Sequence, residues 1–295
     1  MLTIRDLTLG YGGEPVLEGA TLDVEAGQFV SLVGPSGSGK TSLLRAVTGL
    51  QAAERGDISL EIDRDEVGFL FQDDALLPWR TARHNVALGL LAHGRKKKEA
   101  YRAADTWLRR FGLTGLEDRF PRQLSGGQRK RVALAQVLAL QPRLLLMDEP
   151  FASLDAIVRH RITRDLLVWV EQEHLTVLLV THDLEEAITL SDAVYLLSNG
   201  PNAHIRQWYE VPLARPRDLV ETKTDPQFAP LYETVWHDLA REVGLEGGDS
   251  DEIVGNRRHA AGQDRSGGER GWNERNGSSA ESTRASTDRA EVRAS

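Results

Sequence analysis

Short apolar runs alternate with longer amphipathic stretches from Leu2 to about Val243. Leu2–Thr8, Phe29–Val33, Val67–Phe71, Leu144–Asp148, Thr176–Thr181 and Ala193–Leu197 are short and rich in Val, Ile, Leu and Phe, the pattern of buried strands. Lys40–Leu50, Asn85–His93, Lys97–Phe111, Gly127–Leu140, Arg159–Glu173 and Leu184–Ser191 carry their apolar residues at helical spacing. Strands separated by helices predict an α/β fold with a mostly parallel central sheet, because parallel neighbours need crossovers and the crossover helices cover both faces. From about Asp73 to Gln141 helices follow one another without a strand, which predicts an inserted helical subdomain. From Glu246 to Ser295 the apolar pattern ends in Gly, Ser, Ala, Arg, Asp and Glu. Such a segment has too little to bury to offset the entropy of ordering. The expectation is a folded domain over residues 1–245 and a disordered polar tail over 246–295.

Composition narrows the function classes. A chain of 295 residues has room for one large domain or two ordinary ones, and 40% hydrophobic with 27% charged residues is the soluble globular range. The net charge of -8 argues against a nucleic-acid partner, which calls for a basic excess. Without cysteine there is neither a disulfide framework nor a thiolate metal site, in keeping with a reducing cytoplasm. Met1-Leu-Thr-Ile-Arg-Asp6 lacks the basic start and apolar core of a secretory signal. Runs such as Val177–Val180 fall far short of the roughly twenty apolar residues of a membrane span. Work at a membrane would need spans from other chains. Asn276-Gly277-Ser278 matches a glycosylation sequon, which carries no meaning in a cytosolic chain.

The candidate chemistry begins at Gly34-Pro35-Ser36-Gly37-Ser38-Gly39-Lys40-Thr41, a G-x-x-x-x-G-K-[ST] loop between an apolar strand and a helix. Glycines let successive N–H groups turn toward phosphate oxygens, reinforced by the positive helix end. Lys40 would then reach the β- and γ-phosphates and the Thr41 hydroxyl would ligate Mg²⁺. A flexible Gly/Ser loop is the plain alternative, and the flanking strand and helix argue against it. Asp148 and Glu149 end the strand Leu144-Leu-Leu-Met147, at the sheet edge where ligands of open α/β proteins bind. There Asp148 can hold Mg²⁺ and Glu149 can polarise an attacking water. Taken alone they could be a solvated strand end.

Between these two elements stands Leu124-Ser125-Gly126-Gly127-Gln128, and the ordered series resembles the ATP-binding-cassette (ABC) ATPases from about Leu2 to Val243. The resemblance implies a P-loop NTPase fold with an N-terminal antiparallel β-subdomain and a helical subdomain that carries the signature. It implies that Gly34 through Ser42 bind ATP, with Tyr11 stacked on adenine, although a tyrosine beside Gly12-Gly13 could equally be ordinary packing. Ser125, Gly126, Gly127 and Gln128 would serve a nucleotide held by the phosphate loop of a second subunit, a role compatible with Ser125 simply capping the next helix. Ser153-Leu154-Asp155 resembles the loop that crosses the dimer interface, so Asp155 joins the set acting in trans. Gln72, after Gly68-Phe-Leu-Phe71, resembles the glutamine that senses Mg²⁺ and the attacking water. His182 resembles the switch histidine at the γ-phosphate, with a purely structural strand-end histidine as the alternative.

Further resemblance concerns transport. Asp74-Ala-Leu-Leu-Pro-Trp79 resembles the surface that receives a permease's coupling helix, while core packing is the other reading of Trp79. Arg95-Lys-Lys-Lys98 is a solvated helix start, and Gln136 stands where many relatives carry arginine, as a surface or packing variation. Leu213-Ala-Arg-Pro-Arg-Asp-Leu219, Asp225-Pro-Gln-Phe228, Leu231–Leu239, Gln128-Arg-Lys-Arg131 and Glu149-Pro-Phe151 resemble the importer subgroup for nitrate, sulfonate, taurine and thiamine-precursor nutrients. The implied protein is an ATPase using ATP and Mg²⁺, paired as a homodimer or with a second ATPase subunit. It would sit at the cytoplasmic face of the membrane beneath permease subunits served by a substrate-binding protein. An exporter ATPase subunit, a soluble ABC ATPase outside transport, and a non-catalytic binding module remain as alternatives.

Overall fold

The computed structural model describes residues 1–245 except Ser153, so Ser153 and the tail expected over 246–295 lie outside the described residues. Nine strands and eight helices are described. The strands are β1 (Leu2–Leu9), β2 (Leu17–Val24), β3 (Phe29–Val33), β4 (Arg55–Leu60), β5 (Val67–Leu70), β6 (Leu144–Asp148), β7 (Thr176–Val180), β8 (Ala193–Leu197) and β9 (Ile205–Glu210). The helices are α1 (Lys40–Val47), α2 (Ala82–Ala92), α3 (Lys97–Arg110), α4 (Gly126–Leu138), α5 (Ala156–Glu173), α6 (Leu184–Leu190), α7 (Glu221–Thr224) and α8 (Phe228–Glu242).

The main sheet runs β5-β6-β7-β3-β8-β9, and only the β8–β9 pairing is antiparallel. Every residue of β3, β6 and β7 is buried, which explains their unbroken apolar sequence. Side chains alternate across this sheet with the period-two geometry of a strand. Leu145, Met147, Val177 and Leu179 enter the core shared with α2, α3, α4 and α5. Leu144, Leu146, Leu178 and Val180 enter the core shared with α1 and with a second sheet. That second sheet, antiparallel in the order β2-β1-β4, is the N-terminal β-subdomain.

Three strands go beyond the predicted elements. β4 is largely exposed and polar, β9 is an edge strand with one buried residue, and β2 closes the small sheet with alternate burial. Their partners supply the backbone hydrogen bonds, so little apolar signal is needed in the strands themselves. Helix starts also move outward to their caps. Thr81 accepts from His84 N–H (3.4 Å), and Asp155 accepts from Val158 N–H (3.0 Å), so α2 and α5 begin about a turn earlier than their apolar residues suggest.

Topology fixes the site. The register Leu144↔Thr176 and Phe29↔Val177 aligns β6, β7 and β3 in parallel, so the loops leaving their carboxyl ends emerge side by side. The opposite edge is clamped by Asp192. Its carboxylate accepts from Phe29 N–H (2.8 Å), Arg215 Nε (2.9 Å) and Arg217 Nη2 (3.2 Å). Burial opposes its ionisation, but the hydrogen bonds from Arg215, the Phe29 amide and Arg217 prevail and hold the carboxyl below the usual range.

Candidate functional site

The loop after β3 closes on its own lysine. Lys40 Nζ donates to the carbonyls of Gly34 (2.8 Å) and Pro35 (2.7 Å), and Ser38 Oγ also donates to Pro35 O (2.8 Å). Gly39 carries the turn into α1 at φ +85°, where a Cβ would also crowd Val16 and Leu17 (3.2 Å each). Both the conformation and the space call for glycine there. Burial lowers the Lys40 pKa, with Glu149 and Asp148 pulling the other way. Gly34, Pro35, Ser36, Gly37, Ser38, Gly39, Lys40, Thr41 and Ser42 thus form one continuous strand–loop–helix turn.

Next to this loop Thr41 Oγ1 donates to Asp148 Oδ1 at 3.0 Å. Burial raises the Asp148 pKa, against the Thr41 hydrogen bond and with help from the Glu149 charge. The pair joins a hydroxyl to a carboxylate, hard oxygen donors of the kind that suit Mg²⁺ alongside phosphate oxygens. One residue on, Glu149 sits at φ +43°, a conformation that costs a non-glycine residue about 1–3 kcal/mol. Its N–H donates to Val180 O (2.9 Å), and its Oε2 lies 3.2 Å from His182 Nδ1. The strand ends of β6 and β7 therefore bring the predicted base and the predicted switch histidine into contact.

Behind this pair lies a layer that sequence reasoning missed. Thr181 Oγ1 donates to Glu186 Oε2, and Asp183 N–H donates to Thr181 Oγ1 (3.1 Å). Asp183 also caps α6 by accepting from Glu186 N–H (3.1 Å), and Arg159 of α5 donates to Asp183 at 3.2 Å. Burial pushes Glu186 up to about 7, with Asp183 and Glu149 adding repulsion while Thr181 and Arg159 oppose it. In sequence, Asp183-Leu-Glu-Glu186 has the spacing of a capping box, which would have turned Glu186 toward the Asp183 amide. The structure turns it toward Thr181 instead.

The signature stands apart. Ser125 caps α4, its Oγ accepting from Gln128 N–H (3.3 Å) while Gln128 Oε1 accepts from Ser125 N–H (2.9 Å). This capping box occupies two groups of the helix start; Ser125 and Gly126 are exposed and Gly127 is half-buried. A Cβ on Gly127 would strike Val158 of α5, so the close approach of α4 and α5 requires glycine there. Asp155 is the N-cap of α5, and Gln72 is exposed just past β5. Tyr11 is 67% exposed, its hydroxyl meeting Ser42 Oγ (2.8 Å) and Gln51 Oε1 (3.2 Å). Trp79 is 70% exposed, which removes the core-packing reading. Its loop is pinned from within by buried Asn85, which donates to the carbonyls of Leu77 (3.2 Å), Arg80 (3.1 Å) and Thr81 (3.0 Å).

The chain is similar to known proteins. The ABC transporter family matches residues 17–152. The taurine import ATP-binding protein TauB of Escherichia coli O157:H7 is 42% identical over 246 residues, which is 80% of this chain and 95% of TauB. TauB of Shigella sonnei is 41% identical over the same shares of both chains. Among solved structures, the ATP-binding cassette MJ0796 in a dimeric post-hydrolysis state bound to ADP and Pi is similar at TM-score 0.64 and 30% identity, covering 72% of this chain and 99% of that one. A second dimeric structure of MJ0796, described as a bacterial ABC transporter cassette, matches at TM-score 0.64 and 31% identity over the same shares.

Proposed function

The chain belongs to the ABC transporter family of ATP-binding proteins, and we propose that it is the ATP-hydrolysing subunit of an importer for taurine or a related small nutrient. The observation that carries this reading is the convergence of Lys40, the Thr41–Asp148 pair and the Glu149–His182 pair at one sheet edge. Two copies would pair, as the MJ0796 cassettes do in being dimeric, and would bind two nucleotides head to tail. In each site Gly34 through Ser42 wrap the phosphates, Lys40 neutralises the β- and γ-phosphates, and Tyr11 stacks on adenine. Ser125, Gly126, Gly127, Gln128 and Asp155 of the opposite copy complete the site with helix-start N–H groups and polar side chains.

Thr41, Asp148 and Gln72 would hold Mg²⁺, which supplies charge neutralisation on the phosphates. Glu149 takes a proton from the attacking water as its oxygen bonds to the γ-phosphorus, and the bond to the β-phosphate oxygen breaks to release ADP. His182, 3.2 Å from Glu149, would face the γ-phosphate and report its presence. Among the described residues no helix is long and apolar enough to cross a membrane. The reading puts the subunit at the cytoplasmic face, held by a permease against the exposed Trp79.

Phosphate release by the purified chain tests the chemistry, and taurine uptake into vesicles carrying the cognate permease and capture protein tests the transport. Absence of hydrolysis from both the chain and the complex would overturn the ATPase. Hydrolysis that small sulfonates, nitrate and thiamine precursors all fail to stimulate in the complex would overturn the nutrient class.

A further inference from the structure

One buried cation belongs to none of the half-sites described above. Lys130, on the first turns of α4, is only 2% exposed. Its Nζ pairs with Asp74 Oδ1 at 2.9 Å and donates to the backbone carbonyl of Gln72 at 3.1 Å. Arg129, its neighbour, lies 3.6 Å from the other Asp74 oxygen and donates to Leu124 O at 2.9 Å. These contacts make one polar chain from Leu124, at the head of the signature, through Arg129, Asp74 and Lys130 to Gln72. Burying an ammonium is costly unless it is paired and hydrogen-bonded, and an apolar pair of similar volume would fold as well or better. Core stability alone therefore gives no reason for charges at these two positions.

We propose that Lys130 and Asp74 are positioning residues that fix Gln72 to the signature helix, so that a nucleotide engaged by Ser125–Gln128 resets Gln72 in the same chain's own site. The two sites of a dimer would then be coupled through the body of each chain. A shift of the helix start on meeting the partner's nucleotide moves Lys130, and Lys130 holds the main chain at the residue assigned to Mg²⁺ and water. Coupling of this kind requires an element that both sites bias, and a short polar chain between two rigid segments provides one.

This inference rests on the reading of the signature as acting in trans, so the test separates the two. The double replacement Asp74→Leu/Lys130→Met in the full chain removes the charges and retains the volume. The expected result is a melting temperature at or above the parent's and a KM for ATP within about twofold. The turnover number should fall about tenfold, and the Hill coefficient for ATP, at most two for two sites, should drop toward one. Parental turnover and cooperativity in this folded variant would overturn the proposal. If the double variant does not fold, Arg129→Gln at the exposed end of the chain decides. Reduced turnover with reduced cooperativity supports the coupling, and unchanged values for both overturn it. Independently, a Lys40→Ala chain is mixed with a Ser125→Arg chain. Recovered hydrolysis supports the trans half-site, because the one intact pairing combines a phosphate loop from the second chain with a signature from the first. No recovery removes the trans reading and the coupling with it, whereas recovery alongside a fully cooperative double variant removes the coupling alone.

Discussion

The two half-sites proposed for this chain are built on opposite principles. The phosphate-loop half is knotted to itself around the buried Lys40 and Asp148: Lys40 lies on loop carbonyls, Thr41 on Asp148, Glu149 on His182, with Glu149 in a left-handed conformation. The signature half is a helix start with a closed capping box, Ser125 and Gly126 exposed, and among the described residues its capping hydrogen bonds stay within Ser125 and Gln128. One half carries desolvation and backbone strain, and the other carries free helix-end amides. A site made of both combines groups that bind and activate with donors that cost nothing to keep ready. On the proposed reading, that difference lets a single fold hold two parts of a catalytic centre that is completed by a second copy.

The comparison is broken most severely at Lys40. Replacing it with alanine should abolish ATP binding, measured by equilibrium titration with a fluorescent nucleotide, since the loop loses the buried cation proposed to meet the phosphates. Normal affinity would remove the phosphate-loop assignment. Glu149→Gln should separate binding from chemistry. Turnover should fall about 10²–10⁴-fold while ATP affinity holds, and the variant should elute as a dimer with ATP on size exclusion. Retained hydrolysis would remove Glu149 as the base. On the other half, Ser125→Ala should leave ATP affinity of the free chain unchanged and reduce turnover about tenfold, with a loss of about 1 kcal/mol of stability from the cap. A loss of stability without a loss of turnover would reduce Ser125 to a helix cap.

How far the residues spoke for themselves differs between the two halves as well. β3, β6 and β7 are buried on both faces, so their sequences are unbroken apolar runs, and the loops they launch could be located from pattern alone. The same pattern exposed Asp148, Glu149 and His182 as strand-end residues. β4 and β9 could not be seen this way, because an edge strand is held by main-chain pairing and tolerates Arg55, Asp57, Arg206 and Gln207 on its surfaces. Contacts between distant segments were equally hidden. Nothing in Arg129-Lys130 announces Asp74, nothing in Arg215 and Arg217 announces Asp192, and nothing in Glu186 announces Thr181. Local periodicity reports which face is buried, whereas a polar side chain's partner is a property of topology.

The strain in the phosphate-loop half should also be visible as pH dependence. Glu186 has its pKa pushed up to about 7, against an unfolded value of 4.5. A carboxyl whose folded pKa is raised contributes its full stability below the unfolded value and loses it as pH rises through the folded one. Between about pH 5 and pH 8 that change is roughly 3 kcal/mol by linkage. Glu186→Gln imitates the neutral acid, so its melting temperature should match the parent's at pH 5 and exceed it at pH 8. Equal melting curves at both pH values would mean that Glu186 is not held neutral by its burial and by the Asp183 and Glu149 charges.

The smallest expected effect sharpens the boundary of the phosphate-loop half. Tyr11 is an exposed member, and its hydroxyl is tied to Ser42 and Gln51. Two roles are possible for the same side chain, a flat surface for adenine or a hydrogen-bonded brace on α1, and they predict opposite responses to two substitutions. Tyr11→Phe keeps the ring and removes the hydroxyl, so stacking predicts an unchanged KM for ATP. Tyr11→Ala removes the ring, and an exposed stacking contact worth about 1 kcal/mol predicts a KM about fivefold higher with turnover unchanged. The effect should be similar for GTP, because every base offers a π-face and no polar group of Tyr11 reads the ring edge. If Tyr11→Phe raises KM as much as Tyr11→Ala does, the brace on Ser42 is what matters, and the aromatic surface belongs outside the nucleotide site.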